Sequence, residues 1–385
     1  MEDKKKLLYI VRYPIYEDFN LRGKFDGQLA AFRNIGLDVY YLVFDQAYFY
    51  LVHNDSRERI CRAATWLPMY FHTVVYHDLH RAVNKAAKQL HFDYIYWRGA
   101  PTWYSSFKTA KKLHKQNAKI LYEIPTYVKA GEEPMNILRR AFSVYSKFWH
   151  AKLTRYLDLY VLIFTGDTTM DTLHGVPVAV IDNGVDVDAI PLRNPIADKE
   201  AVHILALASM SYWHGYDRLI RSVCQYQGSQ KVVLHMVGGN DGGMLPEWRK
   251  LAEELHAADR VVFHGRMYGQ ALAEMFDLCD IGTNALAQYL KNLSATSELK
   301  VREYTARGLP FLCSVEDPAL NHDGGDFFMQ IPNNSSVPNM ETIVEFALKM
   351  RQDTDLPAKM RQYAYAHMTW ESQYAPIFLQ LESRD

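Results

Sequence analysis

Cysteine is scarce in this sequence and is not arranged in motifs. Cys61, Cys224, Cys279 and Cys313 are scattered over 385 residues and form no CxxC pair. This spacing argues against a zinc site and against a disulfide framework. It predicts a protein of a reducing compartment, which we take to be the cytoplasm.

Long apolar runs and an excess of one charge are also missing. No window approaches the ~18 apolar residues of a membrane-spanning helix, and the N-terminal apolar run is too short for a secretory signal. Lys and Arg total 43 against 44 Asp and Glu, so the net charge is −1. No field of the whole molecule draws it to nucleic acid, and we expect no nucleic-acid partner.

Short β-branched or aromatic runs alternate with longer amphipathic stretches along the chain, in two series. The first series of predicted strands covers 7–11, 39–44, 94–97, 119–123, 159–164 and 178–181. The second covers 202–208, 232–238, 260–265, 280–283, 310–313 and 326–331. Apolar strands alternating with helices predict parallel sheets covered on both faces. We therefore expect an α/β protein with two doubly wound, Rossmann-like domains facing a central cleft.

A polar stretch rich in Asp and Pro, at 181–200, separates the two series and is typical of a linker. We place the first domain at 1–185 and the second at 186–369. The helical pattern of the C-terminus breaks near Thr369 and Trp370. We expect the last helix, 370–385, to cross back to the first domain.

One helical region, 134–156, carries basic residues and no acidic one. Its cations are Arg139, Arg140, Lys147, Lys152 and Arg155. Its aromatic residues at roughly helical spacing are Phe142, Tyr145, Phe148 and Trp149. Such a helix can lie on an anionic membrane, which would place the protein at the inner face of the membrane. The alternative is a helix that packs its aromatic side chains on its own sheet.

The stretch SELKVREYTARGLP, 297–310, predicts a short helix that begins near Ser297 and ends at Gly308. The N–H groups of its first turn are unpaired and can bind a diphosphate. Lys300 falls in that turn and Glu303 one step further along the same side, where a carboxylate suits a ribose diol. Glu298 is expected on the exposed side. The alternative is a surface helix with a Lys–Glu pair.

Several segments, in order, resemble elements of retaining GT-B glycosyltransferases of the large family four. The ordered set carries the resemblance, since no single motif is specific. EYTARGLP resembles the family's nucleotide-sugar-binding Glu and helix end. The others are NLRGKFDGQLAAFRNIGLDVY (20–40), IDNGVD (181–186), SMSYWHGYDRLIRSV (209–223), HMVGGNDGGMLPEW (235–248) and RVVFHGRMYGQALAEMFDLCDIG (260–282).

The resemblance implies a transferase that uses a nucleotide-diphosphate sugar, with UDP as the leading nucleotide, and that needs neither cofactor nor metal. The implied acceptor is a glycan or a polyprenyl-linked sugar of surface polysaccharide synthesis. The resemblance assigns Gly23 and Lys24 to an acceptor-side loop. The implied nucleotide-sugar residues are Glu303, Lys300, Leu299, Ser297, Ser209, His214, Gly215, Arg218, Gly265, Arg266 and Met267.

Lys300, Glu123 and Arg98 are the candidate catalytic residues. Glu123 and Arg98 end two predicted strands, where doubly wound sheets bind ligands. Both could instead be structural, with Arg98 paired to Glu123.

The chain departs from the family at three positions. Ala208 and His214 stand where an Arg and a Lys usually bind the diphosphate, and Ala295 replaces the first of two Glu. His214, Arg218 or Lys300 would then have to supply the positive charge. Two other functions stay open: a sugar-nucleotide epimerase of the same fold, and a non-catalytic partner of another transferase.

Overall fold

The computed structural model describes residues 4–13, 21–67, 74–125, 137–164, 166, 170–195 and 200–383. The chain divides into two compact units. Unit 1 comprises Met1–Asp182 with Trp370–Asp385, and unit 2 comprises Asn183–Thr369. The first boundary therefore lies three residues before the expected one.

Unit 1 is built on a nine-stranded sheet whose order is β4-β3-β2-β1-β5-β6-β7-β9-β8. Its strands are β1 Lys6–Tyr13, β2 Asp38–Asp45, β3 Tyr48–His53, β4 Ser56–Arg62, β5 Tyr94–Arg98, β6 Lys119–Ile124, β7 Leu159–Ile163, β8 Thr172–Leu173 and β9 Val176–Ile181. All six strands of the first predicted series are present, and they pair in parallel.

The sequence did not predict the hairpin formed by β3 and β4. It pairs antiparallel with the edge of the sheet at β2. The turn between β2 and β3 has no glycine; Gln46 takes its positive φ of 53°. Most of β4 is exposed and charged, so it lacks the apolar alternation by which a strand is recognised.

The helices of unit 1 are α1 Arg22–Asn34, α2 Val75–Gln89, α3 Tyr104–His114, α4 Ile137–Leu153 and, from the C-terminus, α11 Trp370–Glu382. Helix α11 packs on α1, where the ring of Phe32 lies 4.6 Å from that of Tyr374 and 5.9 Å from that of Phe378. The C-terminal segment is therefore part of the core of unit 1.

Unit 2 contains a second, separate sheet of six parallel strands in the order β12-β11-β10-β13-β14-β15. Its strands are β10 Ala201–Leu207, β11 Lys231–Val237, β12 Val261–Gly265, β13 Ile281–Thr283, β14 Phe311–Cys313 and β15 Phe328–Gln330. Its helices are α5 Tyr216–Gln225, α6 Leu245–Glu254, α7 Gly269–Leu278, α8 Leu299–Arg307, α9 Met340–Gln352 and α10 Leu356–His367. Both faces of the sheet are buried, Ile204 in one apolar core and Leu205 in the other.

The predicted class is confirmed: two doubly wound α/β sheets, the GT-B architecture. The strand order of unit 2 reverses between β10 and β13. Loops that follow the carboxyl ends of strands at such a reversal form the usual ligand crevice of doubly wound sheets. In unit 2 these are the loop after β10 and the segment that joins β13 to α8.

Candidate functional site

The loop after β10 and the segment after β13 are tied together by their backbones. The N–H groups of Leu286 and Ala287 donate to the carbonyls of His214 and Trp213, at 2.9 and 3.1 Å. Gly215 makes this approach possible, because a Cβ there would lie 2.7 Å from the Cβ of Ala287. Its φ of +63° also favours glycine. Gly215 thus holds together the two loops at the strand reversal.

His214 is buried in this loop and is neutral. Burial, and then the charge of Lys300, lower its pKa to about 2. Its Nδ1 accepts a hydrogen bond from the N–H of Ser211 at 3.0 Å, so the ring proton is on Nε2. The expectation that His214 supplies positive charge is therefore wrong. It can offer a neutral N–H donor instead.

Arg218 also differs from its expected role. Its guanidinium is buried and donates to the backbone carbonyls of Leu286, Pro332 and Ser336. Burial lowers its pKa. Arg218 therefore fixes the segments around the crevice, and three of its five N–H donors are used within the protein.

Helix α8 begins and ends close to where the sequence predicts. Its first residue is Leu299, which is partly buried, and Gly308 ends it with a φ of +82°. The hydroxyl of Ser297 accepts from the N–H of Asn183 at 2.7 Å. Ser297 therefore anchors the Asn-Gly segment at the start of unit 2, and Glu298 takes the N-cap position.

Lys300 and Glu303 lie on one side of α8, one helical step apart. The Lys300 Nζ is 3.4 Å from the hydroxyl of Tyr216, a contact that nothing in the sequence had indicated. The Glu303 carboxylate pairs with Arg307 at 3.1 Å and is about 31% exposed. The alternative, a surface pair between Lys300 and Glu303, is not observed, since each side chain has a different partner.

Glu298 is not on the exposed side, and this expectation was wrong. Its carboxylate accepts a hydrogen bond from the Gln288 Nε2 at 2.5 Å. Burial raises the pKa of Glu298, while the charge of Lys300 acts in the opposite direction. The N-cap position turns residue 298 towards the segment after β13, whereas simple helical spacing had placed it on the outside.

Four buried oxygen atoms around this segment have no hydrogen-bond partner among the described residues. They are Thr283 Oγ1, Asn284 Oδ1, Gln288 Oε1 and Thr296 Oγ1. All four lie between the end of β13 and the start of α8. Buried polar atoms are nearly always paired, so the segment between β13 and α8 has hydrogen-bonding capacity that the described residues leave unused.

The glycine-rich turn after β11 packs on the loop after β10. A Cβ at Gly238 would lie 1.7 Å from the carbonyl oxygen of Ala208, and the carbonyl of Ser209 accepts from Gly242 at 2.7 Å. The carbonyl of Gly265, at the end of β12, accepts from Gly238 at 2.8 Å. Ser209 and Gly265 thus act here through their backbones.

The two residues after Gly265 differ in exposure. Arg266 is half exposed and pairs with Asp241, lying across Gly239. Met267 is partly buried against the core of unit 2. Only Arg266 of these two therefore presents a polar group at the surface.

In unit 1, Glu123 is fully buried and its oxygens are already bonded. Arg98, Gln28 and Tyr96 donate to its carboxylate, and the Lys24 Nζ lies 3.6 Å away. Burial opposes its charge, but the two cations and the hydrogen bonds hold its pKa below the usual range. The structural alternative, in which Arg98 pairs with Glu123, is the arrangement observed.

Gly23 and Lys24 lie in the first turn of α1 and not in a loop, which corrects the expectation. Gly23 is exposed. Lys24 is buried, with its Nζ 5.3 Å from the ring centroid of Trp370. Burial lowers its pKa to about 8, despite the nearby Glu123. Its ammonium therefore compensates Glu123 within the unit.

Helix α4 covers most of 134–156, of which 134–136 lie outside the described residues, and it packs aromatic side chains on α3 where the alternative had expected the sheet. On one side, Phe142 and Trp149 pack against rings at the start of α3, 4.8 Å from Trp103 and Tyr104 respectively. On the other side, Val144 is 65% exposed and Phe148 54%. The helix therefore presents an apolar stripe to solvent beside its cations.

Membrane-spanning helices and metal clusters were searched among the described residues. No described helix has both the length and the hydropathy that crossing a bilayer requires. That same part of the chain has no group of three or more His, Cys, Asp or Glu side chains placed to hold a metal ion.

No protein-family model and no curated protein sequence matches the chain. Solved structures do. Sucrose-phosphate synthase from Thermosynechococcus elongatus is 14% identical over 99% of this chain and 100% of its own, with a TM-score of 0.68. A glycosyltransferase from Rickettsia africae is 13% identical over 98% of both chains, with a TM-score of 0.63.

Anabaena HepE, solved in complex with UDP, is 16% identical over 99% of this chain and 100% of its own, with a TM-score of 0.60. At these identities the likeness establishes the fold, and it extends over both units.

Proposed function

We propose that the chain is a retaining glycosyltransferase that moves a sugar from a UDP-sugar to a glycan or polyprenyl-linked acceptor of surface polysaccharide synthesis. The observation that carries the proposal is the group of side chains at the start of α8: Lys300 beside Tyr216, and Glu303 one step along. The fold likeness to glycosyltransferases, one of them solved with UDP, supports it.

The diphosphate binds at the N-terminal end of α8. Unpaired N–H groups of the first turn, the Lys300 ammonium and the Nε2–H of His214 are donors of the kind an anion requires. The Glu303 carboxylate accepts from the two ribose hydroxyls. His214 fits this role because it is held neutral with its proton on Nε2. A metal ion is not required to balance the charge.

The sugar binds beside the segment between β13 and α8. The unpaired oxygens of Thr283, Asn284, Gln288 and Thr296 accept hydrogen bonds from its hydroxyl groups. Glu298 fixes the Gln288 side chain beside the sugar by accepting a hydrogen bond from its Nε2. These residues take the place of the first Glu of the family pattern, which this chain lacks at Ala295.

The electrostatic task of the reaction is to stabilise the leaving group. As the bond between C1 of the sugar and the phosphate oxygen breaks, negative charge grows on the diphosphate, and Lys300 stabilises it. The acceptor hydroxyl forms its bond to C1 on the face from which UDP leaves, and its proton goes to the departing phosphate. No protein nucleophile takes part, and Glu123 is excluded because its oxygens are buried and bonded.

The acceptor binds to unit 1. Helix α4 holds the protein at the inner, anionic face of the membrane. Val144 and Phe148 enter the interface while the neighbouring cations meet lipid phosphates. Each basic residue near the surface contributes ~1 kcal/mol to such binding. Charge reversal at Arg140 and Lys147 should therefore abolish binding to anionic vesicles.

A thermal-shift panel of UDP-, GDP- and ADP-sugars tests the nucleotide. A ligand that binds only the folded state stabilises it by mass action, by ~2.7 kcal/mol at 100 times its dissociation constant. UDP-sugars alone should raise the melting temperature. A shift with another nucleotide would overturn the assignment of UDP. Absence of any shift would favour the non-catalytic partner, and interconversion of two UDP-sugars would show an epimerase.

A further inference from the structure

A pocket of about 520 Å³ lies in unit 1, between the ends of two strands and helix α4. Gly99 and Ile124 line it at the carboxyl ends of β5 and β6, and Ser146, Lys147 and His150 of α4 form its other wall. Its volume is within the ~300–1,000 Å³ of small-molecule sites. Ends of parallel strands are also where doubly wound sheets bind ligands.

Four polar side chains of the lining, Thr102, Tyr122, Ser146 and His150, are already bonded within the protein, whereas His174 lies exposed at the edge of the pocket. His150 contacts Thr102 Oγ1 at 3.1 Å and the Tyr160 hydroxyl at 2.8 Å, so both ring nitrogens have partners. The hydroxyl of Tyr122 donates to the Ala100 carbonyl at 3.2 Å. Ser146 accepts from the N–H of Thr102 at 2.9 Å. The interior therefore has little capacity left for a polar ligand.

The charge of the pocket is also confined to its edge. Burial, and then the neighbouring His174, lower the pKa of His150 to about 4, so its ring is neutral at pH 7. Lys147, which is exposed, is the lining residue that carries a full positive charge. No acidic residue occurs between 134 and 156 to neutralise it. A neutral, largely apolar cavity thus opens beside a cation and beside the apolar stripe of α4.

We propose that this pocket binds the hydrocarbon chain of a single-chain lipid phosphate, whose headgroup pairs with Lys147. Charge complementarity selects an anionic head, and the bonded interior selects an apolar chain. The proposal rests on the proposed function only in identifying this lipid as the anchor of the acceptor. Chain binding itself is independent of UDP.

Alkyl phosphates of 8 to 14 carbons, below their micelle concentration and without vesicles, test the pocket by calorimetry with the full chain. Each methylene that enters the pocket contributes ~0.8 kcal/mol, so affinity should rise about fourfold per carbon until the pocket is full. Ala151 is exposed on α4 and lines the pocket. Ala151→Trp should weaken dodecyl phosphate binding at least tenfold.

Ala141→Trp is the matched control, since Ala141 is exposed on the same helix but does not line the pocket. It should bind like the parent. Lys147→Glu should weaken the binding of alkyl phosphates but not of alkyl alcohols. Arg155→Glu, which makes the same change of charge away from the pocket, should leave the binding of both unchanged. Equal binding by both Trp variants, or affinity independent of chain length, would overturn the proposal.

Two further measurements separate the pocket from the membrane stripe and from the proposed function. Val144→Ser with Phe148→Ser, a change that removes the apolar stripe without adding charge beside Lys147, should abolish vesicle binding and leave dodecyl phosphate binding unchanged. Ala151→Trp should instead weaken dodecyl phosphate binding and leave vesicle binding unchanged. UDP calorimetry on the same samples is a separate readout. A parent protein that binds alkyl phosphate but not UDP would refute the nucleotide site and leave the pocket standing. A parent protein that binds UDP but no alkyl phosphate would refute the pocket alone.

Discussion

Replacement of Glu303 by alanine should weaken UDP binding about tenfold. A hydrogen bond to a charged group contributes ~1.5–3 kcal/mol, and tenfold in affinity corresponds to ~1.4 kcal/mol. We use the low end of the range because the carboxylate is about 31% exposed and is already paired with Arg307. Alanine has the higher helix propensity, so α8 should persist.

A change of the ligand shows whether the lost contact is to the ribose. The parent should bind 2′,3′-dideoxy-UDP about tenfold more weakly than UDP, while Glu303→Ala should bind the two nucleotides with nearly equal affinity. The change of residue and the change of ligand form a double-mutant cycle, in which a coupling free energy of ~0.5–3 kcal/mol indicates direct interaction. Isothermal calorimetry supplies all four affinities.

The matched control is Glu253→Ala, because Glu253 is an exposed carboxylate on α6 of the same unit. It should bind both nucleotides like the parent. If Glu303→Ala discriminates between UDP and its dideoxy analogue as strongly as the parent does, Glu303 does not bind the ribose. The orientation proposed for the nucleotide on α8 would then be wrong.

Four other substitutions or conditions have defined outcomes. Lys300→Ala should lower kcat more than UDP affinity, because phosphate charge grows in the transition state; steady-state rates with calorimetry measure both. Glu123→Gln should cost ~3–5 kcal/mol in urea unfolding, since it leaves two cations in unit 1 uncompensated, and an unchanged midpoint would contradict this. Gly215→Ala should lower the free energy of unfolding by at least ~1–2 kcal/mol in the same assay, because alanine is strained in the left-handed backbone conformation of this position. Burial and two neighbouring His lower the pKa of His235 to about 4, below the ~6.5 of an unfolded chain. The stability that neutral His235 contributes is therefore complete above pH 6.5 and is lost as the pH falls from 6.5 to 4. Unfolding curves at pH 7 and pH 4.5 would detect this loss, which should be smaller in the control variant His235→Phe.

Strand positions could be predicted because the buried parallel strands are continuous apolar runs. The run at 232–238, for example, is observed as β11, Lys231–Val237. The hairpin of β3 and β4 could not be predicted, because an exposed edge strand such as β4 needs no apolar face. Periodicity therefore recovers the buried part of a sheet and misses its solvent-facing edge.

The ends of α8 were also predictable, since an N-cap and a glycine with positive φ act locally. The surroundings of its side chains were not. Glu298 was assigned to the exposed side from spacing alone, but its direction depends on Gln288, ten residues earlier in a separate segment. Contacts of that kind leave no periodic signal.

Charge at the diphosphate was the least predictable feature. Arg218 and His214 are cationic residue types near the expected place, yet burial changes both. Arg218 gives its donors to three backbone carbonyls, and His214 is neutral. Whether a basic residue can bind a phosphate depends on its partners in the folded chain, which residue type does not reveal.

Sugar transfer from a nucleotide donor can be tested by following UDP-hexoses with proton NMR in the presence of the purified chain, without acceptor. We predict slow release of UDP from at least one donor, with the free sugar appearing first in the α configuration of the donor, and loss of this activity in Lys300→Ala. Conversion of one UDP-sugar into another would contradict the proposal. So would the absence of both UDP release and UDP binding across the panel.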